Sequence, residues 1–151
     1  MIDVEELVDK LDAILKTRMN SAIAEVNAEK ADFILKDIPP LGIYFQSLND
    51  ETINYDPFCL YGISNEEITS SGYSSSSNLT FFVVIALSGQ NNDFIDKRLL
   101  RYSRILKTVI LSGFDNLRPE LSSTGPIAFT DSNTSNFYKA IGLEFKVSIA
   151  I

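Results

Sequence analysis

Side chains able to do chemistry are scarce in this sequence. Histidine is absent, which removes the commonest general acid–base, the Ser–His and Cys–His nucleophile pairs and most zinc sites together. Cys59 is the sole cysteine, so no intramolecular disulfide can form. Its neighbours Phe58 and Leu60 mark it as a buried, inert thiol, since nothing basic adjoins it. The serine run at 74–77 lies in no Gly-x-Ser-x-Gly elbow and has no histidine to activate it. Asp3, Glu5, Glu6, Asp9 and Asp12 spread around a predicted helix instead of converging, the pattern of a solvated face. The Asn-Asp-Glu run at 49–51 and the Asn-Asn-Asp run at 91–93 lack the alternating spacing of a calcium loop, and Gly62, Gly72 and Gly89 are too isolated for a phosphate loop. The expectation is therefore a chain with no catalytic residue, no cofactor and no metal site, and not an enzyme.

One charge feature stands out. Lys97, Arg98, Arg101, Arg104 and Lys107 give the outer side of a predicted helix a basic character in a chain whose net charge is −7. Such an acidic protein is poorly suited to wrap nucleic acid, and Tyr102 falls on the apolar side of that helix, so no base-stacking platform is expected. The cations form either a contact surface for an acidic partner or a solvated face. In the second case Asp93 pairs with Lys97 at i,i+4 and Asp96 adds local compensation.

The elements that must position these residues are legible as changes of period. Val4, Leu7, Val8, Leu11, Ile14, Leu15, Met19, Ala22, Ile23 and Val26 recur at three- and four-residue steps and predict one long helix over roughly the first 30 residues. Asp3, Glu5 and Glu6 in its first turns complement the helix dipole. After Pro39-Pro40 the pattern turns to strands at 41–48 (LGIYFQSL) and 58–63 (FCLYGI). Residues 64–78 have almost nothing to bury and predict a mobile loop or the tip of a long hairpin. The strand at 79–88 (LTFFVVIALS) is apolar on both faces, Phe81, Val83 and Ile85 on one and Phe82, Val84 and Ala86 on the other. Cover is expected from a helix on one side and from a second helix or a neighbouring subunit on the other.

Asp93 is the expected N-cap of the second helix, in which Ile95, Leu99, Tyr102, Leu106, Val109 and Ile110 face inward and which Gly113 ends. Residues 112–136 read as irregular, with a short strand at 127–130. Ile141, Leu143, Phe145, Val147, Ile149 and Ile151 then alternate with Gly142, Glu144, Lys146, Ser148 and Ala150 as a half-buried strand.

At 151 residues, with 45% hydrophobic and 22% charged, the composition is that of one folded domain. No run of about 18 apolar residues suggests a membrane span. The acidic, amphipathic start is unlike a signal peptide, so the chain is expected to fold in the cytoplasm without a membrane partner.

The resulting layout is α+β, in the order α-β-β-β-α-β. The leader helix at 4–26 and the block at 79–111 (LTFFVVIALSGQNNDFIDKRLLRYSRILKTVIL), in which an apolar strand, a short polar turn and an Arg/Tyr-bearing helix follow one another, resemble the tail terminator proteins of long-tailed bacteriophages. That group includes related neck and head–tail joining proteins. The resemblance implies a hexameric ring that caps the tail tube, offers a docking surface to the neck or connector, and lets DNA pass through its lumen. It implies a location in the virion, and as contact residues Lys97, Arg98, Arg101, Arg104, Lys107, Tyr73, Phe82 and Val84. A head-completion or joining protein, and from another class a monomeric immunity-type binding module, remain the alternatives.

Overall fold

The computed structural model describes residues 3–38, 56–90, 92–114, 117–130 and 137–150. Helix α1 spans Val4–Glu29. Asp3 caps it, its carboxylate accepting the Glu6 N–H at 2.8 Å and so satisfying one of the donors that a helix start leaves without partners. Leu7, Leu11, Ile14, Leu15, Met19 and Ile23 form its buried stripe. Val4, Ala22 and Val26 pack at the margin of the same core.

Strands β1 (Phe58–Ser71) and β2 (Ser74–Ser88) precede helix α2 (Ile95–Gly113), and β3 (Glu120–Thr130) and β4 (Phe137–Ala150) follow it. All neighbours are antiparallel, and the sheet order is β1-β2-β4-β3. The class is α+β, as expected, but the described order is α-β-β-α-β-β. The strand expected at 41–48 lies outside the described residues. The strand expected at 127–130 is longer, beginning at Glu120. Ser122, Ser123, Thr124 and Gly125 give it no apolar alternation, and it tolerates Pro126 because, among the described residues, β3 pairs with β4 alone and lies at the sheet edge.

The segment at 64–78 is the distal part of the β1–β2 hairpin. Its ladder runs to the pair Ser71 and Ser74, and Gly72 takes the turn with φ of 60°, a left-handed conformation that costs glycine nothing. A register shift between Ile63 and Asn65 leaves Ser64 as the extra residue of a bulge, with its hydroxyl donating to the Thr80 carbonyl at 3.1 Å.

Phe81, Val83 and Ile85 of β2 and Ile141, Leu143, Phe145, Val147 and Ile149 of β4 join the inward faces of both helices in one core, with Phe81 and Phe145 stacked 5.2 Å apart. The alternation read for β4 is thus the core pattern; Ile151 lies outside the described residues. The Tyr61 hydroxyl donates to Asp12, tying α1 to the β1 side. Lys139 pairs with Asp96 at 3.1 Å, tying α2 to β4. Both helices therefore cover the same face, which corrects the expectation of a second helix over Phe82, Val84 and Ala86. That opposite face carries a smaller cluster of Phe58, Leu60, Ala86, Tyr138 and Ala140, with Val84 packed against it.

Where α2 ends against α1 the fit is close: a Cβ on Gly113 would stand 2.9 Å from Cγ2 of Ile14. Cys59 is buried in the main core, where loss of solvent pushes its thiol up to about 12.

Candidate interaction surfaces

The polar geometry of the molecule converges on a strap, residues 31–38, that leaves the end of α1 and lies along both helices. Asn20 and Asn27 hold it. The Asn27 amide donates to the Leu35 carbonyl at 2.9 Å and accepts the Leu35 N–H at 2.9 Å. Asn20 does the same for Ile38, at 3.1 and 2.8 Å. The register is a matter of repeat lengths. Seven helical residues rise about 10.5 Å and three extended residues span about 10 Å, so two amides on one helix face meet two strap residues three apart. The strap buries Leu35 and Ile38 in the core, and their backbone groups must find partners there.

Helix α2 holds the strap from the other side. Arg101 donates to the Asp32 and Phe33 carbonyls and to the Asp32 carboxylate at 2.7 Å. Arg98 donates to the Ile34 carbonyl at 2.6 Å, and the Tyr102 hydroxyl to the Lys36 carbonyl at 2.7 Å. Lys97 stands 3.6 Å from Asp32 and 4.4 Å from the centre of the Phe33 ring, a cation–π contact. The Arg101 side chain, hydrogen-bonded to Asp32, holds that carboxyl below its ordinary value, and burial raises the Tyr102 hydroxyl above its own.

The basic face is thus largely used within the chain. Arg98 and Arg101 keep only 16% and 10% of their side chains exposed, which leaves them little to offer a partner. The expected Asp93–Lys97 pair does not form: Asp93 takes Arg98 at 2.8 Å and Lys97 takes Asp32. Nor does Asp93 cap α2. The N-cap position falls on Phe94, whose backbone is left-handed and whose side chain makes no cap bond. Its ring instead packs 4.7 Å from Phe33, which is also left-handed. Asp93 is engaged with Arg98 instead, through both its carbonyl and its carboxylate.

Two predicted cations stay available. Arg104 is exposed and Lys107 half-buried, and neither has an ion pair among the described residues. Lys30, Asp32, Lys97, Leu100, Arg101 and Arg104 line an open depression of about 460 Å³. Of the other expected contact residues, Tyr73 is fully exposed at the hairpin turn, whereas Phe82 is buried on the second sheet face and Val84 half-buried beside it. Phe82 therefore presents little surface within the single chain.

Farther along that face the register aligns Asn65, Thr80, Lys146 and Glu120 across all four strands. With Glu67 and Arg118 they border an open depression of about 410 Å³. Its charges are mixed, and no histidine or cysteine adjoins it.

Asn20 and Asn27 are what reading the chain misses. Their signal was a pair of amides at a seven-residue step, the two asparagines of the helix. Among the described residues no group of three or more carboxylate, cysteine or histidine side chains could hold a metal ion, and no helix is long and apolar enough to cross a membrane. No protein-family model matches the chain, and no curated protein matches it either.

Proposed function

We propose that this chain is a structural assembly protein of a long-tailed bacteriophage, a tail terminator that closes into a ring, caps the tail tube and offers the docking surface for the neck. The observation that carries the proposal is the distal hairpin. From Ser64 to Ser70 every side chain of β1 is exposed, Ile68 by 65%, and Tyr73 projects fully at the turn. The ladder is nevertheless regular, with Thr69 and Ser76 hydroxyls 3.2 Å apart and Ser70 and Ser75 hydroxyls 3.1 Å apart. An exposed edge bearing apolar groups is a liability for a lone subunit, whereas for an assembly protein it is a contact element.

The order of a leader helix, a long hairpin, a second helix and an inner final strand supports the same reading, as does the shortage of groups able to turn over a substrate. The action is steric and electrostatic. A subunit charge of −7 disfavours adhesion of DNA moving through a ring of such subunits.

The test is binding of the purified protein to isolated tail tubes and, separately, to connector–head complexes, imaged by electron microscopy. Density at one tube end, lost in Ile68→Ser/Tyr73→Ser, is the expected result. Binding to connectors alone would move the protein to a neck ring, and binding to neither would refute the proposal.

A further inference from the structure

We infer that the basic depression beside the end of α1 receives the acidic start of α1 from a second copy of the chain. The inference rests on the ring reading above and names the contact that closes it. On the basic side, Lys30, Lys97 and Arg104 surround Leu100, which is 64% exposed, with Asp32 as the one acid lining that depression. On the acidic side, Glu5, Glu6 and Asp9 are exposed and none has an ion pair among the described residues, the adjacent Lys10 included; Lys16 is taken by Asp12 at 2.8 Å.

The two sites cannot meet within one chain. From Glu5 to Lys30 the helical rise of 1.5 Å per residue sets them about 37 Å apart, far beyond the reach of a side chain and several Debye lengths at physiological salt. Between copies they are complementary: an apolar group rimmed by cations faces a helix end carrying three carboxylates, the arrangement in which rim charges steer and orient association. Because the two patches differ, the contact is heterologous, and repeated contacts of that kind close into a ring when the rotation permits. A second copy is favoured as occupant over a foreign acidic partner because the chain carries the complementary surplus itself, 20 acidic against 13 basic residues.

The experiment uses two charge-reversed full-length chains, Glu5→Lys/Glu6→Lys/Asp9→Lys and Lys30→Glu/Arg104→Glu. Each is checked by circular dichroism and followed by sedimentation velocity, alone and mixed. Each reversal alone is expected to weaken self-association at least about tenfold, and an equimolar mixture, in which opposite charges again face each other, is expected to restore it. Wild-type association is expected to weaken between about 0.05 M and about 0.5 M salt, a readout that stands even if a variant fails to fold. A wild-type oligomer unaffected by salt and by both reversals would overturn this contact and leave the ring standing. A wild-type chain monomeric under every condition would overturn the ring reading and this contact with it.

Discussion

Replacing Asn27 by alanine removes both hydrogen bonds that hold Leu35, each 2.9 Å long. Leu35 is only 3% exposed, so its N–H and carbonyl are left without partners in a place water reaches poorly. Two lost bonds at about 1 kcal/mol each, plus part of the desolvation cost of the orphaned groups, give a loss of about 2–3 kcal/mol. Should the strap instead peel away to hydrate them, Leu35 and Ile38 leave the core at roughly 1.5–3 kcal/mol each.

Asn27→Asp separates the two bonds. The carboxylate still accepts the Leu35 N–H, but its second oxygen faces the Leu35 carbonyl where the amide used to donate. At neutral pH Asn27→Asp should therefore cost about as much as Asn27→Ala. The difference from wild type at the same pH should shrink in acid, where the protonated group can donate again. Urea denaturation measures the loss, and amide exchange over residues 33–38 locates it. Because one strap joins both clamps, Asn20→Ala and Asn27→Ala should together cost less than the sum of the single losses. Both Asn27 variants within about 0.5 kcal/mol of wild type, with exchange at 33–38 unchanged, would refute the clamp.

Gly113→Ala places a Cβ 2.9 Å from Ile14 Cγ2. Overpacking of about 1–3 kcal/mol should outweigh the helix-propensity gain of up to about 1 kcal/mol, and in an Ile14→Ala background the same change should cost nothing or stabilise, as urea midpoints would show. Asp32 titrates below the usual carboxylate value of 3.8, chiefly through its hydrogen bond with Arg101. Its contribution is present above that value and lost as pH falls through the lowered pKa, so Asp32→Asn should flatten the acid limb of the stability profile; an unchanged limb would remove Asp32 from the strap's electrostatics. Cys59, its thiol pushed up to about 12 by burial, should react with an aromatic disulfide reagent at neutral pH only as fast as the chain opens, and at once in denaturant; immediate labelling of the native protein would contradict its burial.

What was legible beforehand is what local periodicity encodes. The α1 stripe and the alternation of β4 are one-dimensional records of which side chains face the core, and Leu7, Leu11, Leu143 and Phe145 lie there. Edge strand β3 left no such record, since Ser122, Ser123 and Thr124 are exposed and need no apolar period. The basic face was visible as composition, but its role depended on Asp32, which lies 69 residues from Arg101 along the chain. Counting acids close in sequence set only Asp93 and Asp96 against five cations, when three of the five, Lys97, Arg98 and Arg101, engage the strap. Asp93 failed as a cap for a similar reason: Arg98, on the turn above, claims its carboxylate. For the basic face a partner distant along the chain, and for Asp93 a competing partner five residues on, overrode a sound local preference.

The most direct test of assembly is the mass of the purified protein in solution, by multi-angle light scattering across a concentration series and in the presence of tail-tube protein. Ring closure predicts a discrete species whose mass is a whole multiple of the 16.8 kDa chain, a hexamer by the family resemblance, without a ladder of intermediate masses. A strictly monomeric species of 16.8 kDa at every concentration, with tube protein present or absent, would contradict it.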